Sequence, residues 1–225
     1  MKSDYRYEIK FVLDDSRLTG VMSWLYKNTS ANKSYDNRIV NSIYFDDINP
    51  SSVRDNLSGI SKRHKSRLRW YGKEINSSAI FEVKTKTGRL GSKLAYPIKS
   101  ISGKIMELNL DKITSACIKD LAMQDIVFDH HLMPTLLVNY EREYYETHEG
   151  IRITIDHDIK FSDTQLYTKL DENNYFLYPI KVMEIKFTPD MKEAVSKLVK
   201  PLNISPTRHS KYLIGLATLG YAVYI

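Results

Sequence analysis

Three short segments of the chain each carry a glutamate and a lysine separated by one aliphatic residue. In a β-strand, alternate side chains point to opposite faces, so the glutamate and lysine share one face and the apolar residues share the other. Two further segments place arginine in the same alternation, and cations gathered on strand faces could bind an anion. The five segments are Tyr7-Glu8-Ile9-Lys10-Phe11, Arg67-Leu68-Arg69-Trp70-Tyr71, Phe81-Glu82-Val83-Lys84-Thr85-Lys86, Arg152-Ile153-Thr154-Ile155-Asp156 and Met183-Glu184-Ile185-Lys186-Phe187.

The charged faces could come together in the interior of a closed barrel. Burying so many cations in a space of low dielectric constant is very costly unless a polyanion or a metal-bound anion occupies it. Arginine grips phosphate oxygens with a planar fork, so a chain of phosphates is the expected occupant. The cations that would converge are Lys10, Arg67, Arg69, Lys84, Lys86, Arg142, Arg152 and Lys186, with Glu8, Glu82 and Glu184 among them.

The alternative is an open sheet whose charged face is solvated. In that arrangement glutamate and lysine on neighbouring strands would pair for a few tenths of a kcal/mol each. For a single Glu-x-Lys segment the solvated face is the better interpretation, whereas the repetition and the arginines favour an enclosed face. The apolar residues would pack on helices in either arrangement and do not decide between them.

Length and charge limit the kinds of protein this can be. A chain of 225 residues with 42% hydrophobic content can bury a full core, and residues 1–225 are predicted to form a single domain. The formal net charge of +6 and the isoelectric point near 9.1 indicate an anionic partner. Nucleic acid, a membrane surface and polyphosphate all remain open on charge alone.

Several features predict a cytoplasmic protein without a transmembrane segment. Cys117 is the single cysteine, so no intramolecular disulfide and no cysteine metal cluster can form. The first residues lack the apolar core of a signal peptide. The longest apolar stretch, residues 212–225, is 14 residues long and falls short of the ~20 that span a bilayer.

Alternation of apolar and polar residues predicts eight strands. They lie at 5–13, 41–46, 63–71, 79–87, 93–97, 135–146, 151–156 and 179–187. Helices are predicted after Asp14 or Asp15, over 102–130, after Thr188-Pro189-Asp190 and from Ser210. The resulting fold class is α+β, a closed eight-stranded antiparallel β-barrel with helices packed outside, because closure removes exposed sheet edges.

Eight segments, taken in order, resemble the VTC domain. This is the polyphosphate polymerase domain of vacuolar transporter chaperones and of their stand-alone bacterial relatives, a branch of the triphosphate tunnel metalloenzymes. The resemblance covers residues 5 to 219. Besides the five segments above, it rests on Ser42-Ile43-Tyr44-Phe45-Asp46, Tyr140-Glu141-Arg142 and Ser210-Lys211-Tyr212.

The resemblance implies a tunnel that holds a triphosphate or a growing polyphosphate, with Mn²⁺ or Mg²⁺ bound by Glu184 and Glu8. The implied partners are ATP and inorganic polyphosphate or tripolyphosphate, and no specific nucleic acid is expected. Lys93 is matched only by its spacing after the loop at Gly88 and Gly91. The catalytic cations of this candidate site are Arg67, Arg69, Arg142, Arg152 and Lys211, and its phosphate-binding lysines are Lys10, Lys84, Lys86, Lys93 and Lys186.

The start of the chain departs from the wider superfamily, which opens with Glu-x-Glu-x-Lys. Here the corresponding residues are Arg6-Tyr7-Glu8-Ile9-Lys10, so arginine replaces the first carboxylate. That loss resembles the polymerase branch and puts hydrolysis through a second, water-activating metal in doubt. The leading hypothesis is a metal-dependent polyphosphate polymerase that uses ATP. The alternatives are a tripolyphosphate or nucleoside triphosphate hydrolase and a non-catalytic module that binds polyphosphate or RNA.

Overall fold

The structure is a computed structural model that describes residues 6–73, 79–88, 90–128, 131–166, 168–171 and 173–222. Its main element is one antiparallel sheet, in which the strands neighbour one another in the order β1-β9-β7-β6-β2-β3-β4-β5, while β8 pairs with β7. The strands are β1 (Tyr7–Leu13), β2 (Asn32–Asp46), β3 (Lys62–Tyr71), β4 (Ala79–Thr87), β5 (Leu90–Ile98), β6 (Met133–Glu146), β7 (Arg152–Asp163), β8 (Phe176–Tyr178) and β9 (Lys181–Phe187).

The described residues form five α-helices beside the sheet: α1 (Asp15–Asn28), α2 (Ser51–Leu57), α3 (Leu110–Ala122), α4 (Lys192–Val199) and α5 (Lys211–Thr218). Asp14 caps α1, since its carboxylate accepts a hydrogen bond of 2.9 Å from the Arg17 amide. The helix predicted over 102–130 is wrong in length, because Gly103 and Asp125 take left-handed backbone conformations on either side of α3. None of the helices in the described part of the chain could cross a membrane.

The apolar backs of the strands are covered by helices, as the alternation predicted. On β2, β3 and β4 these residues are fully or almost fully buried against α3, and on β1, β7 and β9 they are buried against α1 and α4. The first contact joins Ile43, Leu68 and Phe81 to Ile113, Cys117 and Leu121, and the second joins Phe11, Ile153 and Ile185 to Val21, Leu25 and Val195.

The predicted closure of the sheet into a barrel is wrong. The ladder of paired strands runs from β1 to β5, and among the described residues these two edges share only the isolated bridge between Arg6 and Gly91. The sheet is nevertheless curved far enough that Lys84 of β4 reaches Glu8 of β1, with 3.0 Å between Nζ and Oε2. A side-chain ion pair therefore joins strands near the two edges where a backbone ladder was expected.

Helix α5 corrects the expectation that all helices pack outside the sheet. Tyr212 stacks on Tyr44 with 4.8 Å between ring centroids, and Tyr44 lies on the charged face because its hydroxyl accepts a hydrogen bond from Arg67. The same apolar cluster joins Leu213 and Leu216 to Leu136, Val138 and Phe161 of the sheet. Helix α5 therefore packs on the concave, charged face and brings its first residue, Lys211, into that space.

Gly215 allows α5 to lie this close to the sheet. A Cβ atom at this position would lie 2.6 Å from Leu136 Cδ2 and 2.8 Å from Phe161 Cδ1.

We expect Gly215→Ala to lower the free energy of unfolding by about 1–3 kcal/mol through overpacking. The matched control is Gly20→Ala in α1, where a Cβ would meet nothing within 4 Å. Its helix propensity should raise stability by up to about 1 kcal/mol. Urea denaturation of both variants tests the pair, and equal stabilities would contradict close packing at Gly215.

Candidate functional site

Strand register places charged residues of six strands on the concave face. Residues directly opposite each other in an antiparallel pair point to the same side of the sheet. The pairs are Glu8 with Lys186 and Lys10 with Glu184, Arg67 with Glu82 and Lys65 with Lys84, and Arg142 with Asp156. Glutamates and lysines of three Glu-aliphatic-Lys segments thus face one another across a shared space.

The first ion-pair cluster of this face is centred on Lys10. Its Nζ lies 3.0 Å from Glu8 Oε1 and 3.3 Å from Glu184 Oε2. Lys84 binds the other oxygen of Glu8 at 3.0 Å, and Lys186 binds the other oxygen of Glu184 at 2.5 Å. Two carboxylates and three ammonium groups therefore alternate, so each charge has a partner of opposite sign.

The second cluster surrounds Glu82, which is only 3% exposed. One of its oxygens accepts hydrogen bonds from Arg67 Nε and Nη2 at 2.7 and 2.6 Å, and the other binds Lys93 Nζ at 2.6 Å. Arg69 approaches the same carboxylate at 3.9 Å and donates to Ser42 and Tyr140. Both arginines are therefore held in fixed orientations, as phosphate binding requires.

The third cluster contains Asp156, a fully buried carboxylate. Arg142 holds it bidentately, with Nε to Oδ1 at 2.5 Å and Nη2 to Oδ2 at 2.8 Å. Lys211 at the start of α5 binds Oδ2 at 2.5 Å. Asp156 thus fixes two of the predicted catalytic cations, although the sequence had given it no role of its own.

The segment before α5, which includes Thr207 and His209, is hydrogen-bonded to Lys10 of the first cluster. The Thr207 amide donates to the Lys10 carbonyl at 2.8 Å, and Lys10 Nζ donates to the His209 carbonyl at 3.1 Å. His209 is buried, and neither ring nitrogen has a hydrogen-bond partner. Burial, with help from Lys211 and Lys10, lowers the pKa of His209 to about 3, so the ring is neutral at physiological pH.

Ten of the twelve predicted site residues belong to the three clusters, and two do not. Lys86 lies on the same face as Lys84, where burial and the Lys84 charge lower its pKa, but it has no carboxylate partner among the described residues. Arg152 is half exposed and pairs with Glu146 at 3.5 Å. It lines a cavity of about 260 Å³ together with Arg6 and Lys186. Arg152 therefore lies at the rim of the charged face.

The cations keep the carboxylates ionised. Burial alone would raise the pKa of Glu82 and that of Glu8. The charges of Arg67 and Arg69 instead lower the pKa of Glu82 to about 2. The charges of Lys10 and Lys84 lower the pKa of Glu8 to about 2 as well. Glu184 is shifted in the same direction, since Lys186 and Lys10 outweigh its burial and hold its pKa well below the ordinary value. All three groups are therefore charged over the whole physiological range.

The lowered pKa values predict acid instability. A carboxylate with a depressed pKa stabilises the folded state fully above its unfolded pKa, about 4.5, and this contribution is lost as the pH falls towards the folded value, about 2. We expect the free energy of unfolding to fall between these limits. In Glu82→Gln the fall should be shallower, because one contribution is missing. Urea titrations at stepped pH values test this, and identical slopes for both proteins would count against it.

The predicted metal ligands Glu184 and Glu8 are close enough to share Lys10. Thr154 lies opposite Glu184 in the β7–β9 register, and its Oγ1 is buried without a hydrogen-bond partner. Two carboxylates and an orphaned hydroxyl form the hard oxygen donor set that Mg²⁺ and Mn²⁺ prefer. The residues fit such an ion, and its binding here stays a prediction.

A second group of possible metal ligands lies on the opposite face of the sheet and was not predicted. Glu141, His157 and Asp158 place one ligand atom each within 4.8 Å of one another. Glu141 and His157 alternate with Arg142 and Asp156 along their strands, so they point away from the charged face. This group therefore has no part in the concave site.

The curved antiparallel sheet carries its cations and carboxylates on one concave face and has helices on its apolar back. The chain belongs to the VTC domain family, whose family model matches residues 5–220, and the resemblance drawn from the sequence is confirmed. No curated protein matches the chain in sequence.

The fold is shared with solved structures of low sequence identity. The PH1819 protein of Pyrococcus horikoshii OT3 is 17% identical, with a TM-score of 0.51 over 95% of this chain and 99% of that one. HpAC1 of Hippeastrum, described as an adenylyl cyclase candidate with a dominant triphosphatase activity, is 13% identical, with a TM-score of 0.53 over 95% and 96%. A Vibrio parahaemolyticus protein described as an adenylate cyclase candidate is 14% identical, with a TM-score of 0.52 over 96% and 99%.

Proposed function

We propose that this protein is a metal-dependent polyphosphate polymerase, which transfers the γ-phosphate of ATP to a polyphosphate chain held on the concave face. The observation that carries the proposal is the convergence of Lys10, Arg67, Arg69, Arg142 and Lys211 in one ion-paired site. Phosphoryl transfer asks a protein mainly to position the phosphates and to neutralise charge on their nonbridging oxygens. A face of this kind meets both needs without a nucleophilic residue.

Different residues of the chain would have different roles in phosphoryl transfer. Arg67 and Arg69, already oriented by Glu82, would grip oxygens of the transferred phosphoryl group, where fixed cations in a space of low dielectric constant act strongly. Lys10, Lys84 and Lys186 would exchange part of their carboxylate contacts for contacts with the phosphate chain. Mn²⁺ or Mg²⁺, held by Glu184, Glu8 and Thr154, would neutralise further charge when bound.

The number of carboxylates that could bind a metal favours transfer of the phosphoryl group to a phosphate end over its transfer to water. Glu82 and Asp156 are each occupied by an arginine and a lysine, and Arg6 stands where the superfamily has another carboxylate. Glu184 and Glu8 have lysines alone as partners, and they would supply ligands for one ion once those lysines turn to the phosphates. A second, water-activating ion would lack the carboxylate that Arg6 replaces.

Hydrolysis of tripolyphosphate or of a nucleoside triphosphate is the second candidate. What favours it is the fold shared with HpAC1, the protein described as having a dominant triphosphatase activity. It would use the same cations with water as the acceptor. Binding of polyphosphate without catalysis is the remaining alternative.

Product analysis tests these candidates. The purified protein is incubated with ATP and Mn²⁺, and long-chain polyphosphate and free phosphate are both followed. Polymerase activity predicts long chains that disappear in Glu184→Ala, with Glu193→Ala, an exposed glutamate of α4, as the control. Free phosphate without chains would identify a hydrolase. Tight polyphosphate binding without either product would leave a binding module.

A further inference from the structure

Lys65 of β3 differs from the lysines of the three clusters because it has no carboxylate partner among the described residues. It lies on the concave face opposite Lys84, and its Nζ donates a hydrogen bond of 2.9 Å to Ser210 Oγ. The same Nζ lies 5.6 Å from the centre of the Tyr212 ring. No carboxylate in the described part of the chain forms an ion pair with it. Lys65 therefore contacts the start of α5 through neutral groups, the Ser210 hydroxyl and the Tyr212 ring.

The charged groups that act most strongly on Lys65 lie on β1, β3 and β4, and all four are positive. They are Lys10 of β1, Arg63 of β3, and Lys84 and Lys86 of β4. Burial and the charges of these four groups lower the pKa of Lys65 to about 7. Tyr212 is the titratable group that faces it from α5, and the nearby carboxylate of β2, Asp46, instead accepts a hydrogen bond from the Tyr212 hydroxyl.

Lys10, on the same face, shows how carboxylate partners change the pKa of a buried lysine. Burial alone would lower its pKa, but Glu184 and Glu8 raise it above its ordinary value. A phosphate chain entering beside Lys65 would supply the counter-charge that Lys65 lacks. Because an opposite charge favours the protonated amine, its arrival would draw a proton from the solvent buffer onto Nζ.

We infer that Lys65, held by Ser210, is a proton-linked phosphate contact, so that a triphosphate group binds together with the uptake of a proton by the Lys65 amine. The inference rests on the proposed function, since it requires that the concave face bind a phosphate chain. It adds a residue absent from the predicted site and a dependence of affinity on pH. Lys65 forms no ion pair with Glu184 or Glu8, the predicted metal ligands.

The direction of the pH effect follows from the protonation states. Below pH 7 the amine of the free protein is already charged and binding needs no proton. Above pH 7 binding must recruit one, so affinity falls by up to about tenfold for each pH unit until the amine of the complex also titrates. Arginine stays charged throughout, so Lys65→Arg should remove this part of the pH dependence.

Isothermal titration calorimetry of the full chain with tripolyphosphate, without metal, tests the inference. Titrations at pH 7.5 in buffers of different ionisation enthalpy give the number of protons taken up. Wild type should take up about half a proton or more in excess of Lys65→Arg. From pH 7 to 9 its affinity should fall at least about tenfold further than that of the variant. The ionisation of tripolyphosphate itself is common to all proteins and cancels in the comparison.

Two further variants make the outcomes distinct. Lys62→Arg, at an exposed position of the same strand, should retain the wild-type proton uptake. Lys65→Met should bind more weakly than wild type at pH 6 and approach it at pH 9. Equal proton uptake and equal pH slopes in wild type and Lys65→Arg would overturn the inference while leaving phosphate binding intact. Absence of tripolyphosphate binding by wild type would overturn the proposed function as well.

Discussion

Asp156→Asn should lower the free energy of unfolding by about 3–5 kcal/mol. The carboxylate is fully buried and is the shared partner of Arg142 and Lys211. Asparagine keeps nearly the same volume but removes the charge, which leaves two neighbouring cations in a space of low dielectric constant. Urea denaturation at pH 7, followed by circular dichroism, measures the loss.

The control for this prediction lies two residues along the strand. Asp158 has a side chain that is 70% exposed and pairs with His157, so Asp158→Asn should change stability by less than about 0.5 kcal/mol. Tripolyphosphate should raise the melting temperature of Asp156→Asn more than that of wild type, because the ligand supplies the missing negative charge. An Asp156→Asn protein as stable as wild type would show that Arg142 and Lys211 find other partners.

Arg67→Ala should reduce the rate of phosphoryl transfer by about 100-fold to 1000-fold, the loss found when one preorganised donor is removed from an active site. Arg67 lies on the concave face, where Glu82 and the Tyr44 hydroxyl fix the orientation of its guanidinium group. Arg67→Lys keeps the charge without the fork, so its rate should lie between those of wild type and Arg67→Ala. Initial rates with ATP and Mn²⁺ measure the effect for either product, polyphosphate or free phosphate.

Stability should change far less than activity in Arg67→Ala, since Lys93 and Arg69 still neutralise Glu82. Arg17→Ala serves as the matched control, because that side chain is 56% exposed on α1 and pairs only with Asp14 among the described residues. Its rate should equal that of wild type. If Arg67→Ala transferred phosphate at the wild-type rate, the chemistry would have to take place away from this face.

The strand faces could be predicted because polar and apolar residues alternate along these segments of the sequence. Glu184 and Lys186 share a face in the structure, and Ile185 is buried on the other side against helices. The first part of β2 gave no such signal, since residues 32–37 are exposed on both faces and their pairing with β6 holds them in the strand. Strand β8, with three residues, is too short for any alternation to predict.

The side of the sheet on which α5 packs could not be predicted from its own residues. An apolar helix can cover either face of a sheet. Helix α5 packs on the concave face because one end of that face is apolar, and Gly215 packs closely there against Leu136 and Phe161. Whether the sheet closes could not be predicted either, because closure depends on curvature summed over many strands. Local patterns cannot report either quantity.

Cations of the candidate site were predictable by type, whereas their partners were not. Arg142 and Asp156 lie in separate segments, and they meet only because an irregularity between Asn139 and Glu141 sets the β6–β7 register. The low pKa of Lys65 arises from burial and from the charges of Lys10 and Lys84, which belong to other strands. Properties of this kind belong to the assembled face and have no signature in any one segment.

The hydrogen bond from Lys10 to the His209 carbonyl spans 199 positions of the chain. Strands β1 and β9, which carry Glu8 and Glu184, are likewise distant in sequence and adjacent in the sheet. Contacts of such long range form late in folding, because loop-closure entropy must be overcome first. We therefore expect tripolyphosphate to slow unfolding without accelerating the early steps of folding, since no fragment of the chain assembles the site before the whole sheet has formed.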